Sequence, residues 1–365
     1  MRKRASDPLS WLIANRDCPG LKCLVGLRTG NKRLALSAFA DLLRQEGTPD
    51  CNLFWIDFEA PKFRSLCTAE QILQYINAAE PQPGMRYLFL IEPTARAYSG
   101  RIISNLLKRP DLNIFAASSN NQLVMVESER NPDFPRMLRT VYPPSYSDLP
   151  RERLDSIWNT ILIRDVLNRE KLGDARAIEA ITEILSDNLG LPLSFRQIGA
   201  AVQPLCGRVL SATTISDYTT SLCDSFLVHR VPTYDIFEGQ ERGSKTVYYY
   251  TSTTLRHARF GTPADTDYRH RVLKNEVFIE LLRRYPTVWQ GDYNGATFDF
   301  VVREKGSLLA IMVAPDCTED VPADVLAPFS RIPDELKVEK ILLGFTPPAA
   351  LPPQVEFLSL TKFLV

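Results

Sequence analysis

Residues able to do chemistry gather first at Gly26-Leu27-Arg28-Thr29-Gly30-Asn31-Lys32-Arg33. A glycine-bearing turn between a strand and a helix, closed by lysine, holds phosphate. The glycines let backbone N–H groups surround the oxygens, the helix N-terminus favours an anion, and lysine neutralises charge. The full pattern is G-x-x-x-x-G-K-[ST], whose final hydroxyl holds magnesium. Gly26 and Lys32 stand in place. Asn31 replaces the second glycine, and since Asn tolerates positive φ the loop is expected to survive. Arg33 replaces the hydroxyl and cannot ligate a metal. By itself the altered pattern reads equally well as a strand–turn–helix with a chance lysine; its place after the first strand favours phosphate.

Hydrolysis of a nucleoside triphosphate needs a second apolar strand ending in two acids, one for magnesium and one to polarise water. Tyr87-Leu88-Phe89-Leu90 supplies the strand, and Ile91-Glu92 ends it. Glu92 stands where a catalytic water activator belongs, or is simply a solvated strand end. Ile91 replaces the metal ligand. ATP or ADP is therefore an expected cofactor, Mg²⁺ is not expected to be held well, and hydrolysis is expected to be impaired or absent. Ser118, Ser119 and the cysteines have no nearby histidine base, so nucleophilic catalysis finds no support.

These residues need a scaffold. Apolar runs at 21–28, 52–58, 86–92, 113–117 and 138–142 alternate with helical spacing at 34–45, 68–79 and 99–108. That alternation predicts an α/β fold with a parallel sheet covered on both faces. The expected divisions are 1–150 for this nucleotide-binding domain, 151–261 for a helical and winged-helix domain, and 262–365 for a smaller α/β domain. In the middle part, helices at 151–169, 174–189, 193–202 and 211–226 precede alternating runs at 228–237 and 245–251, the helix–hairpin order of a winged helix. The last part reads as a helix at 268–285, strands at 288–291, 297–303, 308–314 and 340–345, and a helix at 323–331.

Lys plus Arg and Asp plus Glu both total 43, so whole-chain charge gives no support for nucleic-acid binding. No segment is apolar for the length of a membrane span, and MRKRASDPLS leads into no signal-like run. Seven scattered cysteines and three histidines show no metal-ligand spacing, so a cytoplasmic chain with reduced thiols and no zinc is expected.

Further along, Ala117-Ser118-Ser119-Asn120 follows the fourth apolar run. Pro135-Arg136 precedes Pro143-Pro144-Ser145-Tyr146-Ser147-Asp148. The last part carries Leu273-Lys274-Asn275-Glu276-Val277 through Arg283-Arg284, then Thr297-Phe298-Asp299-Phe300 and Ile311-Met312-Val313. This ordered set resembles a prokaryotic family of AAA-type ATPases with a winged helix and a C-terminal restriction-endonuclease-like domain, of which the chain would be a degenerate member. The resemblance covers nearly the whole chain. Gly26, Arg28 and Lys32 match the family's G-I-R-R-x-G-K-S loop, and Ser119 and Asn120 match its T-G-S-N sensor. It implies nucleotide contacts from Gly26, Arg28, Gly30, Asn31, Lys32, Arg33 and Asn120, with Arg136 as a transition-state arginine in cis or toward a neighbour.

Of the set the resemblance implies for a magnesium nuclease, Asp299 alone remains; Lys274 and Thr297 replace acids and Met312 a polar residue, so nuclease activity is not expected. Asp299 reads as a hairpin cap or a partner of Arg303. On the helix at 211–226 the outward positions are expected to be Thr213, Thr214, Ser216, Asp217, Thr219, Thr220 and Ser221, a poor base-reading face. Arg208, Arg230, Arg242 and Lys245 are the residues available to DNA phosphates. The reading is an ATPase-like scaffold or regulator near DNA, with a protein partner or self-association. Its rivals are an interaction protein that binds no nucleotide and a winged-helix DNA-binding regulator.

Overall fold

In a computed structural model, the described residues are 7–93, 99–121, 136–143, 146–167, 174–262, 264–315 and 321–364. The chain divides into two units: Ser6–Gly173 with Thr220–Leu227, and Asp174–Thr219 with Val228–Val365. These groupings differ from the expected breaks at 150 and 261.

In the first unit, helix α1 (Pro8–Ala14) starts where the Asp7 carboxylate caps the N–H groups of Leu9 and Ser10. Five apolar runs become strands: β1 (Leu21–Val25), β2 (Leu53–Asp57), β3 (Arg86–Ile91), β4 (Leu112–Ser118) and β5 (Arg136–Thr140). They pair in parallel in the order β2-β3-β4-β1-β5. Between them run α2 (Lys32–Gln45), α3 (Ala69–Ala78) and α4 (Ser99–Leu106). Thr68 and Gln71 form a capping box that fixes the start of α3. Parallel strands need such crossovers, and their burial on both faces explains why β1 is buried at every position. Phe39 of α2 packs on Phe115 of β4 with ring centroids 4.9 Å apart, and Phe89 of β3 lies 5.7 Å from Phe115. Leu12 of α1 joins this core. The expected parallel-sheet α/β domain is present here.

After β1 the chain crosses to β2 at the sheet's edge, while β4 and β5 flank β1. Strand order thus reverses at β1, and the carboxyl ends of β1 and β4 open the crevice where such sheets take ligands. Helix α5 (Arg151–Thr160) continues as a π-helical stretch, Ile161–Leu167, and belongs to this unit although its sequence groups it with the middle part.

The second unit holds α6 (Ala175–Asp187), α7 (Phe195–Cys206), most of α8 (Ala212–Asp224), β6 (Val228–Asp235) and β7 (Gln240–Tyr250). It continues through α9 (Thr253–Phe260), α10 (Thr266–Arg284), β8 (Val288–Tyr293), β9 (Ala296–Glu304), β10 (Ser307–Val313), α11 (Ala323–Arg331), β11 (Glu339–Gly344), β12 (Val355–Ser359) and α12 (Leu360–Phe363). The helices-then-hairpin order is as expected, but the hairpin is not freestanding. β6 pairs in parallel with β8 through Thr233↔Gln290, Tyr234↔Gly291 and Asp235↔Asp292. The result is one seven-stranded sheet, β12-β11-β10-β9-β8-β6-β7. Residues 240–244, expected as a loop tip, are strand, because β7 pairs with β6 as far as Gln240↔Asp235.

Candidate phosphate-binding site

The loop 26–31 leaves β1 and enters α2 at Lys32. Gly26 has φ +141°, and a Cβ there would meet the Val141 carbonyl oxygen at 2.3 Å. Only glycine fits this conformation and this close approach. Gly30 is also crowded, since a Cβ would lie 2.9 Å from the same oxygen. Gly26 N–H donates to Ser118 O at 3.2 Å, tying the loop to the end of β4, and Gly30 N–H turns back to Leu27 O at 2.8 Å. Among the described residues, no backbone carbonyl accepts from the N–H groups of Leu27, Arg28, Thr29 or Asn31. Thr29 Oγ1 meets the hydroxyl of the buried Tyr146.

Lys32 is 3% exposed. Its Nζ donates to Gly26 O at 2.8 Å and Leu27 O at 2.6 Å, so the ammonium lies against the loop's own carbonyls. Burial pulls its pKa down to about 8, while the charges of Glu92 and Asp165 act the other way.

Glu92 leaves β3 with φ +48°, an uncommon conformation for a non-glycine residue, and is buried. Its N–H donates to Ala117 O at 2.8 Å. Its carboxylate accepts Ser119 N–H at 3.0 and 3.1 Å and Ser119 Oγ–H at 2.9 Å. The alternative of a solvated strand end is thus excluded. Ser119 Oγ also lies 3.1 Å from Asp165 Oδ1, and its single proton serves one carboxylate at a time. Asp165, 0% exposed, grips Arg28: Nε lies 3.1 Å from Oδ1 and 2.9 Å from Oδ2, and Nη2 also reaches Oδ1. Glu59 takes Arg28 Nη1 at 2.9 Å and Nη2 at 2.8 Å. Burial works against the Arg28 charge, but its bonds to Asp165 and Glu59 prevail and raise its pKa.

The structure therefore brings Gly26, Arg28, Gly30, Lys32 and Glu92 together. Asn120 is buried beyond β4, its N–H 3.2 Å from Ser118 Oγ. Three expectations change. Asn31 stands at the N-cap position of α2 with φ −21° and no side-chain capping bond, so its tolerance for positive φ is not used. Arg33 points outward, 69% exposed, and pairs with Asp57 at 3.2 Å, so it neither contacts the loop's interior nor fills a phosphate position. Arg136 pairs in register with Leu21, at the amino end of β1, whereas the loop leaves the carboxyl end. A cis role at the loop is at odds with that placement; the Arg136 side chain, like Pro135, Pro144 and Ser145, lies outside the described residues. Magnesium seeks oxygen ligands. Apolar Ile91 and outward Arg33 supply none at the two positions where a magnesium ligand is sought, and the carboxylates of Glu59 and Asp165 are taken by Arg28.

The sequence reading missed Asp165 and Glu59. Asp165 had a signal: Ile161, Leu162 and Val166 are buried beside it, and a carboxylate on an apolar helical stripe needs a partner.

In the second unit, Asp299 pairs with Lys274 and accepts Val313 N–H at 2.8 Å, rather than pairing with Arg303, whose Nη2 donates to Tyr234. Lys274 thus neutralises the Asp299 carboxylate. Among the described residues, no cluster of His, Cys, Asp or Glu is placed to hold a metal. On α8, Thr219 and Ser221 are buried rather than outward. Arg208 pairs with Asp174, and Arg242 with Asp235 and Asp292. Arg230 lies over the Phe195 ring, and the Lys245 side chain is outside the described residues. Among the described residues, no helix is long and apolar enough to cross a membrane.

A family model described as a domain of unknown function, DUF8612, matches residues 135–266. An uncharacterized protein of Haemophilus influenzae (strain ATCC 51907 / DSM 11121 / KW20 / Rd) is 24% identical over 355 residues, covering 86% of each chain. Among solved structures, the chain is similar to a Walker-type ATPase of Pyrococcus abyssi, with 12% identity, TM-score 0.40, and coverage of 69% of this chain and 94% of that one. It is also similar to the Aeropyrum pernix ORC1 protein solved in complex with DNA, with 11% identity, TM-score 0.29, and coverage of 73% and 93%.

Proposed function

We propose that the first unit is an AAA-type nucleotide-binding domain that holds ATP or ADP, with hydrolysis impaired or absent, and that the chain serves as a scaffold or regulator. What supports this reading is the loop itself. Gly26 is forced into a glycine-only conformation, Lys32 opens the helix with its ammonium inside the loop, and Glu92 stands buried at the end of β3. On this reading the phosphates draw Lys32 from Gly26 O and Leu27 O and take the N–H groups of the loop. Glu92 and Asn120 face the terminal phosphate. Hydrolysis is slow because Ile91 and Arg33 stand where magnesium ligands would and because Ser119 already occupies Glu92. Calorimetry with ATP and ADP, with and without Mg²⁺, tests it. Binding is expected in the native protein and is lost in Lys32→Ala. Sustained Mg²⁺-dependent turnover would refute impaired hydrolysis, and silence at millimolar nucleotide would remove the reading.

One observation favours a second reading, an interaction protein without nucleotide. Lys32 is already hydrogen-bonded by loop carbonyls, and Arg28 is already neutralised by Asp165 and Glu59. DNA binding rests on the winged-helix element order. It predicts salt-dependent duplex binding weakened by changes at Arg208, Arg242 and Lys245. The acids paired with Arg208 and Arg242 compete with DNA phosphate, and no binding at low salt would remove this reading.

A further inference from the structure

We infer that Asp165 sets the affinity of the proposed nucleotide site: its carboxylate occupies Arg28 as a phosphate would, so a polyphosphate binds by taking Arg28 from it. The inference rests on the nucleotide reading and adds a residue to it.

The guanidinium of Arg28 is a planar fork that fits carboxylate and phosphate in the same bidentate way. Asp165 accepts from Nε and Nη2, and Glu59 accepts from Nη1 and Nη2. A ligand phosphate arriving at the loop therefore finds its arginine occupied by oxyanions of the protein. Asp165 stands within the site rather than beside it, because its Oδ1 touches Ser119 Oγ, which bonds Glu92. The charges also matter. Beside Arg28 and Lys32 stand the carboxylates of Glu59, Glu92 and Asp165, with Arg164 3.9 Å from Glu59 on the outer side. A polyphosphate that left Arg28 with its carboxylates would meet the repulsion of the buried Asp165 and Glu92. Exchange at Arg28 relieves it.

Asp165→Asn is nearly isosteric. It keeps Oδ1 for Arg28 Nε and for Ser119 while removing the charge that opposes the ligand. Calorimetry with ADP and with inorganic pyrophosphate, on the full chain, reads the effect. Expected is binding about tenfold or more tighter than native for Asp165→Asn and a smaller gain for the more peripheral Glu59→Gln. If the native protein binds, Lys32→Ala abolishes that binding, and Asp165→Asn binds equally or more weakly, the competitor role is overturned while the nucleotide reading stands. If the native protein and both carboxylate variants stay folded and none binds, both fall. Should Asp165→Asn fail to fold, Glu59→Gln decides: an unchanged dissociation constant overturns the proposal, and a tighter one supports it.

Discussion

Replacing Arg28 by Gln should destabilise the first unit more than replacing Asp165 by Asn. The asymmetry follows from burial. Asp165 is 0% exposed and the Arg28 side chain 16% exposed. Removing Arg28 strands a carboxylate in the interior, a change that costs about 3–5 kcal/mol. Removing the Asp165 charge leaves Arg28 partly solvated and still held by Glu59, so the loss is nearer that of weakened hydrogen bonds, about 1–2 kcal/mol. For a unit of this size, each kcal/mol shifts Tm by about 2–4 °C, so Arg28→Gln should lower it by roughly 6–20 °C. Urea denaturation of both single variants and the double variant closes a cycle. Groups in direct contact give coupling of about 0.5–3 kcal/mol, and this pair should lie in the upper half of that range. Coupling below about 0.5 kcal/mol, or equal losses from the two single changes, would refute the buried-anion argument.

Other outcomes follow from the same geometry. Gly26→Ala places a methyl 2.3 Å from Val141 O at φ +141°, and should cost about 3 kcal/mol or more in a thermal melt; a loss under about 1 kcal/mol would mean that the loop shifts freely. Lys32 has its folded pKa depressed to about 8 from 10.5, so the unfolded chain holds the extra proton between those values and stability rises with pH across that window. Measured against Lys32→Met, native stability should gain about 2–3 kcal/mol from pH 7 to pH 10; a flat difference would place the ammonium in solvent. Asp299→Ala should cost more than Lys274→Met in denaturation, because Asp299 also accepts Val313 N–H; the reverse order would contradict that bond.

Much of the first unit was legible because a buried parallel strand is a continuous apolar run. The runs leading to β1 and β3 placed Gly26 and Glu92 directly after strands, and the helical spacing that follows placed Lys32 at the start of α2. Register was not legible. Apolar character alone left Arg136 free to sit at either end of the sheet, and the pairing with Leu21 puts it at the amino end. Partner choice was also hidden. Arg28 looked like a ligand contact because Asp165 lies 137 positions away, and sequence spacing carries no sign of their meeting. The glycine-containing link at 238–244 read as a loop tip, yet Glu241 and Arg242 extend β7 because Arg242 finds Asp235 and Asp292 across the sheet. Thr219 and Ser221 passed for surface residues, but the Thr219 hydroxyl bonds back to Ile215 O at 2.8 Å and needs no water.

The parallel pairing of β6 with β8 also sets an order of events in synthesis. A growing chain finishes the β6–β7 hairpin before residues 288–293 exist, so the inner edge of β6, from Thr233 to Asp235, must wait for its neighbour. A bare strand edge is a template for another molecule, and non-local parallel pairing is slow to form. A fragment cut to the matched segment, 135–266, keeps β6 and loses β8 permanently. Such a fragment should self-associate through that edge, whereas a chain carried past Tyr293 closes it from within.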